Sequence, residues 1–463
     1  MHTPRVTFDA ELIRRYDKAG PRYTSYPTAV QFHTGFDEAA YRRAAAATNA
    51  ERPQRPLSLY FHLPFCDTVC FYCACNKIVT KNRARAVPYL ESLHREIALQ
   101  GQLFDRARTV EQLHWGGGTP TFISHDEMRA LMESTRRYFR LREDDQGEYS
   151  IEVDPREIRE GTLPLLRELG FNRLSMGVQD FDSAVQVAVN RIQGEAQTLA
   201  VLEEARALGF RSISMDLIYG LPKQSVASFA RTLDKIVAAA PDRLSVFNYA
   251  HLPEMFKTQR QIDAAELPTA ATKLDILQLS IERLTAAGYV YIGMDHFARP
   301  EDELAVAQRN GTLYRNFQGY STHSDCDLIG LGVTSIGMVG NTYSQNHKTI
   351  PDYSRVLETE KLPVWRGVEL DEDDVLRRAV ITQLICHFTL DPRPQEKRFG
   401  ITFSEYFATE LAELTAMARD GLVQIDDRVI TVTPAGKLLV RNICMVFDKY
   451  LRTQQQKRFS KVI

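Results

Sequence analysis

Between residues 57 and 297 the chain alternates short apolar segments with amphipathic ones, and this alternation limits the possible folds more than any other feature. LSLYFHL (57–63), VEQLHW (110–115), YSIEVD (149–154), NRLSMGV (172–178), SISMDLIYG (212–220), RLSVFNYA (243–250) and YVYIGMDHF (289–297) are rich in β-branched and aromatic residues. Such nearly continuous apolar runs read as strands buried on both faces. The intervening stretches 83–100, 124–139, 161–169, 182–209, 225–239 and 269–287 read as helices. Six or so β-then-α units in series predict a parallel α/β fold. Polar and glycine residues gather where the strands end, in HLPFC, WGGGTPT, EVDP, GVQD, DLIYGLP and NYAH. An open doubly wound sheet uses mainly its switch point. Chemistry at every strand end favours a partial (β/α)6, TIM-like barrel.

The flanks differ. Residues 1–56 are polar and irregular, and GPRYTSYPT (20–28) should be extended because proline disfavours helix there. From about 300 the pattern becomes mainly helical, with helices over 371–388 and 403–419. Residues 420–451 read as a helix end, two short strands around a turn and a helix, a winged-helix-like element. DEDD (371–374) reads as a solvated helix N-terminus, which the helix dipole favours. RTQQQKRFSKVI reads as a surface tail. The expected division is an N-terminal extension (1–56) covering the site, a barrel (57–300) and a mainly helical C-terminal domain (301–463). A net charge of −2 argues against a broad nucleic-acid footprint. The N-terminus lacks the apolar core of a signal peptide, and no run of about eighteen apolar residues occurs. The expectation is therefore a cytoplasmic protein with no membrane span. In a reducing compartment, clustered cysteines favour metal or redox chemistry over disulfides. Cys326, Cys386 and Cys444 stand singly and read as buried thiols.

The cluster is CDTVCFYCAC (66–75), at the end of the first predicted strand. A closed zinc site usually joins two separated knuckles, and no second pair follows. A redox CxxC covers only Cys70 and Cys73. An iron–sulfur cluster suits the spacing best, because thiolates are its ligands. Cys66, Cys70 and Cys73 lie in one short loop and could hold three corners of a cubane, leaving one iron open. Spacing alone leaves Cys75 open as a fourth ligand.

A CxxxCxxC loop directly after the first strand of such a fold resembles the radical S-adenosylmethionine (SAM) superfamily. GPRYTSYPT, YFHLPFC, CACNKIVT, LHWGGGTPT, SIEVDPREI, NRLSMGVQDF, MDLIYGLPKQ, DRLSVFNYAHLP, GMDHFARPEDELA, RNFQGY and RNICMVFDKYL together resemble the HemN-type family of oxygen-independent coproporphyrinogen III dehydrogenases. The likeness runs from about residue 20 to the C-terminus. The related HemW-type haem chaperones usually have Phe at the position of Cys75 and lack the GPRYTSYPT tract. A third reading is another radical SAM reaction on tetrapyrroles, such as methyl transfer coupled to haem breakdown.

The resemblance implies a radical SAM barrel, a [4Fe–4S] cluster on Cys66, Cys70 and Cys73, and two SAM molecules per chain. It implies conversion of two propionates of coproporphyrinogen III to vinyl groups, giving protoporphyrinogen IX. By motif, Tyr60, Gly117, Glu152 and Ile336 correspond to contacts of the first SAM. Tyr72, Gly118, Thr119, Gln179, Arg191, Asp216 and Ala250 correspond to contacts of the second. Tyr72 stands where the family often has Phe, and Cys75 is not a ligand in this picture. No catalytic residue is expected beyond the cluster and SAM. The expected partners are coproporphyrinogen III, an electron donor such as flavodoxin or ferredoxin, and an electron acceptor that the sequence does not identify. The chain is expected to act as a monomer. A strongly anionic substrate needs a local basic pocket in a slightly acidic chain, and Arg22 and Lys77 are candidates.

Overall fold

The computed structural model describes residues 6–453. Two compact units emerge, and neither is continuous in sequence. One comprises residues 31–269 and 325–369; the other comprises 1–30, 270–324 and 370–463. The expected boundaries at 56 and 300 are not those of the compact units, because segments distant in sequence complete each one.

The first unit is built on parallel strands β1 (Leu57–Leu63), β2 (Thr109–Gly117), β3 (Glu148–Val153), β4 (Arg173–Gln179), β5 (Ser212–Tyr219) and β6 (Arg243–Asn248). They are hydrogen-bonded in sequence order from β1 to β6. Helices α1 (Val87–Gly101), α2 (His125–Tyr138), α3 (Thr162–Glu168), α4 (Glu195–Ala207) and α5 (Val226–Ala239) make the returns. This is the succession of a partial β/α barrel. Each strand is apolar because both its faces are covered: Leu59, Phe61, Leu113, Trp115, Ile151, Met176, Met215 and Leu217 are fully buried. Ser124 and Ser225 close capping boxes that start α2 and α5.

On its other edge β1 pairs in parallel with β7 (Asp327–Leu331), a strand that the sequence pattern did not suggest. An antiparallel series continues from it through β8 (Ile336–Val339), β9 (Thr342–Asn346) and β10 (Val364–Glu369). One carboxylate locks this addition. Asp327, at the start of β7, is fully buried and accepts from Thr48 Oγ1 (2.7 Å), the Gly340 amide (2.9 Å), Arg55 (2.9 Å) and Arg108. Two helices also occur in the region read as irregular, Ala10–Tyr16 and Glu38–Glu51, capped by Asp9 and Asp37.

In the second unit, YVYIGMDHF forms two strands rather than the single one expected. It folds back as the antiparallel pair Val290–Gly293 and His296–Ala298. The turn needs left-handed backbone at Met294 (φ 54°) and the special conformation of Gly293 (φ 142°). The C-terminal part is largely helical, with Glu372–His387, Arg393–Phe399 and Ala408–Arg419. Strands Val423–Asp426 and Val429–Val432 form the expected hairpin, followed by helix Val440–Val446. The DEDD segment does cap its helix, yet it is not simply solvated. Asp374 is buried, and the Lys449 ammonium lies within 3.0 Å of Asp371, Asp373 and Asp374. Cys326, Cys386 and Cys444 are buried free thiols. The tail from residue 454 lies outside the described residues. Among the described residues, no helix is long and apolar enough to cross a membrane.

Candidate active site

The cysteine loop leaves β1 at its C-terminal end. Its base is a two-residue parallel ladder, Phe65–Cys66 against Ile78–Val79. The amides of Ile78 and Thr80 donate to the carbonyls of Pro64 (2.7 Å) and Cys66 (2.9 Å). The tip is tied to the segments that follow β4 and β6. Phe71 N–H donates to Val189 O (3.0 Å), Asn190 Nδ2 to Val69 O (2.8 Å), Gln259 Nε2 to Tyr72 O (3.1 Å) and Thr258 Oγ1 to Cys73 O (3.1 Å). Phe71 and Tyr72 pack on a core of Val185, Val189, Leu221, Tyr249 and Ile262. The loop is thus held by hydrogen bonds to its backbone and by packing, with none of its four sulfurs in a disulfide.

Each sulfur sits in a different field. Cys70 Sγ accepts from Arg191 NH1 (3.5 Å) and Arg156 NH2 (3.6 Å). Both arginines are oriented by Asp154, which accepts from Arg191 (2.8 Å) and Arg156 (2.7 Å). Burial alone would push the Asp154 carboxyl up, but Arg191 and Arg156 hold it below its ordinary value. Cys66 accepts from Thr119 Oγ1 (3.7 Å), and burial pushes its thiol up to about 12. Cys73 is lowered to about 6, first by a hydrogen bond from Cys75 and then by Lys77, against burial. Cys75 is raised by the same contact, so the shared proton rests on Cys75. Lys77 gives its ammonium to Cys73 O (2.9 Å).

The glycine run at the end of β2 lies against this loop. Gly118 and Thr119 donate their amides to Leu63 O (2.8 Å) and Phe65 O (2.7 Å). A Cβ on Gly118 would meet Phe65 O at 2.6 Å, and one on Gly117 (φ 117°) would meet the His62 ring at 2.8 Å. These glycines therefore admit the cysteine loop itself, besides any ligand.

Behind the loop, Glu152 accepts from the Gly117 amide (3.1 Å) and lies 3.4 Å from His114 Nε2. Nearly half of its side chain (45%) is accessible. Burial raises its carboxyl, but His114 and Gly117 bring it below the ordinary value. Asp216, on β5, accepts from Ser175 Oγ (3.1 Å), and burial pushes it up to about 6. Tyr60 stacks on His114 at 5.8 Å and bonds His62 Nδ1 (3.1 Å). Gly330, its partner on β7, leaves space for the Ile336 backbone, so Tyr60 and Ile336 are neighbours.

Gln179 has a left-handed backbone (φ 67°), and its buried Oε1 has no hydrogen-bond partner; buried Arg191 Nε has none either. A Cβ on Gly177 would press on Gln179 Nε2 (2.7 Å) and Arg191 NH2 (3.1 Å). Buried polar atoms left open are what a polar ligand satisfies. Ala250 follows β6 and is exposed. Among the sequence candidates, Cys66, Cys70, Cys73, Tyr72, Gly118, Thr119 and Arg191 share the loop's contacts; Tyr60, Gly117, Glu152 and Ile336 surround β1 and β2; Gln179 and Asp216 stand on β4 and β5. Asp154, Arg156, His62 and His114 were not singled out from the sequence. Asp154 and Arg156 sit in the quoted SIEVDPREI motif, where an acid followed by an arginine after a strand was the available signal.

The donor set suits an iron–sulfur cluster: three thiols in one rigid loop, a proton held on the fourth, and arginine donors aimed at one sulfur. Glu152, Asp216, Gln179 and Arg191 suit the hydroxyl, amino and carboxylate groups of SAM.

Residues 60–236 match the radical SAM superfamily, and 370–439 match the HemN C-terminal domain. The chain is 55% identical to the oxygen-independent coproporphyrinogen III oxidase of Pseudomonas aeruginosa over 99% of both chains. It is 52% identical to the enzyme of that name from Escherichia coli over the full length of both. The solved structure of E. coli HemN, described as a radical SAM enzyme, covers 96% of this chain and is itself wholly covered, with TM-score 0.91 and 51% identity. The cysteine loop, the barrel and the C-terminal region thus fall within one full-length likeness, and the chain belongs to the oxygen-independent coproporphyrinogen III oxidase family of radical SAM proteins.

Proposed function

We propose that this chain converts coproporphyrinogen III to protoporphyrinogen IX without oxygen, each of two propionates losing a hydrogen atom to the 5′-deoxyadenosyl radical, one further electron to an electron acceptor, and CO₂, to become a vinyl group. The observation that carries the reading is the single loop of Cys66, Cys70 and Cys73, held at the end of β1 with Arg191 on the Cys70 sulfur and with Glu152 on the neighbouring Gly117 amide. Bound there, a [4Fe–4S] cluster with SAM supplies a 5′-deoxyadenosyl radical able to take a hydrogen atom from a propionate β-carbon.

The chain's own residues hold and shield this chemistry. Cys66, Cys70 and Cys73 are the cluster ligands. Arg191 and Arg156 hydrogen-bond the Cys70 sulfur and draw charge from it, which favours the reduced state. Asp154 fixes both guanidiniums in place. Glu152, ionised at neutral pH, accepts from the amino or ribose groups of the first SAM, with Tyr60, Gly117 and Ile336 around it. Gln179, Arg191 and Asp216 offer the acceptors and donors of a second SAM, flanked by Tyr72, Gly118, Thr119 and Ala250. The electron enters from a flavodoxin or ferredoxin, and the chain acts as a cytoplasmic monomer. Full-length relatives at 52–55% identity carry the oxidase name, which supports this reaction over a haem-chaperone role.

The test is anaerobic. The reconstituted chain, with SAM, a strong reductant, cell extract and coproporphyrinogen III, should yield protoporphyrinogen IX and 5′-deoxyadenosine by mass spectrometry. Deoxyadenosine without vinyl product would move the reading to another tetrapyrrole. Stoichiometric haem binding without either product would favour the chaperone.

A further inference from the structure

Beside the cysteine loop, within the first unit, lies a cleft of about 480 Å³ that the reaction above does not use. One wall is Asn76 and Ile78, on the limb of the loop that returns alongside Phe65 and Cys66. The other walls are Arg85 and Pro88, at the start of α1, and Lys348 and Ile350, at the start of the helix Ile350–Leu357. The walls are joined, because Asn76 Nδ2 donates to Lys348 O (3.0 Å). The returning limb is tied in turn to Cys66, whose carbonyl accepts from the Thr80 amide (2.9 Å). A molecule seated in the cleft therefore rests on the strand that is paired with a candidate cluster ligand.

The cleft has the makings of a docking face. Most of its lining residues are apolar. Val79 and Val87, next in the chain to Ile78 and Pro88, are 41% and 44% exposed. The charged residues that line it are Arg85 and Lys348, both exposed, and no acid lines it. Burial and then the neighbouring Arg366 lower the Lys348 ammonium from its ordinary value, with no carboxylate opposing them. Lys348 and Arg366 both lie over the Trp365 ring, at 4.9 and 4.6 Å, and Arg366 Nε is fixed by Gln345 (2.8 Å). Cations already held on an aromatic face lose less freedom when a partner carboxylate arrives. Local positive charge in a chain of net charge −2 selects an anionic partner. Exposed cations set around apolar surface suit the face of a protein better than a free anion, which buried donors would hold.

We propose that this cleft is the docking surface of an acidic one-electron donor protein, whose carboxylates meet Arg85 and Lys348 and whose apolar edge enters between Ile78, Pro88 and Ile350; this rests on the electron entry proposed above. One electron leaves the donor and reduces by one the cluster held on Cys66, Cys70 and Cys73, and no bond or proton is exchanged. Redox encounters bury little area, so charge does most to set their association.

The test titrates the cluster-loaded chain, without oxygen, with an acidic flavodoxin and an acidic ferredoxin by calorimetry, at low and high salt. Wild type should bind at least one of them, more weakly as salt rises. Lys348→Glu and Arg85→Glu should each weaken that binding by about tenfold and flatten its salt dependence. A second readout is 5′-deoxyadenosine released from SAM. With the protein donor, the variants should need about tenfold more of it for the wild-type rate; with dithionite, a small reductant, their rate should be that of wild type. Iron content and melting temperature report folding, and either variant decides the matter if the other misfolds. Unchanged donor affinity in the folded variants overturns the surface, as does an equal loss of rate with donor and dithionite. A wild type that cleaves SAM with dithionite but binds neither donor also overturns the surface and leaves the reaction standing. A wild type with an intact cluster that cleaves SAM with no reductant removes the reaction and the surface together.

Discussion

Cys73 and Cys75 are two residues apart and hydrogen-bonded, yet their protons are unequally placed. Cys66→Ser, Cys70→Ser and Cys73→Ser should each abolish iron binding on anaerobic reconstitution. Cys75→Ser should keep the wild-type iron content; loss of iron there would make Cys75 a ligand. Asp216 gives a pH signature. Its folded pKa of about 6 lies above the ordinary carboxylate value, so the folded chain binds the extra proton. Stability therefore falls as pH rises through that window, and the cost is complete above about 6. Asp216→Asn should stabilise the cluster-free chain at pH 8, by at most on the order of 3 kcal/mol, and change little at pH 4. A melting curve shifted equally at both pH values would refute this. At this scale the sequence was legible wherever residue type alone dictates chemistry, as with the cysteines. It gave Asp154 only the signal of an acid before an arginine and gave His114 none, because their importance arises when the fold brings them against Arg191 and Glu152.

The end of β2 and the cysteine loop are two elements meeting backbone to backbone. Gly118→Ala would drive a methyl group into Phe65 O, which a strand cannot relieve by changing a rotamer. The expected outcome is a destabilisation of about 1–3 kcal/mol with reduced iron occupancy, read by melting temperature and iron assay. Wild-type iron content would show that the contact yields. The six parallel strands and their returning helices were readable because continuous apolar runs alternate with amphipathic ones. β7–β10 were not. β9, TYSQN, is buried along its whole length although it is polar, so hydrophobic patterning cannot find it. YVYIGMDHF failed in the other direction: its apolar run suggests one strand, and the turn at Gly293 and Met294 makes two. The helix Glu38–Glu51 had a visible signal in its alanines and its Asp37 cap.

For the whole molecule the discontinuity of the two units matters most. A fragment ending at residue 300 keeps all six parallel strands but loses β7. It exposes the edge of β1 and strips Asp327 from fully buried Arg108. An uncompensated buried charge costs about 3–5 kcal/mol, so residues 57–300 alone should aggregate rather than fold, as size-exclusion chromatography would show. Asp327→Ala in the full chain should lower stability by a similar amount, measured by denaturant unfolding. A soluble, monomeric 57–300 fragment would contradict this account. The same discontinuity sets a schedule for biosynthesis. The cysteines leave the ribosome early, while the strand that completes their sheet follows roughly 250 residues later, on the order of 20 s at ordinary translation speeds. For that interval four thiols stand on an unfinished sheet, and metal delivered before β7 docks would meet a loop whose supporting strand, β1, still has one open edge. The expected order of maturation is therefore chain completion first and iron second.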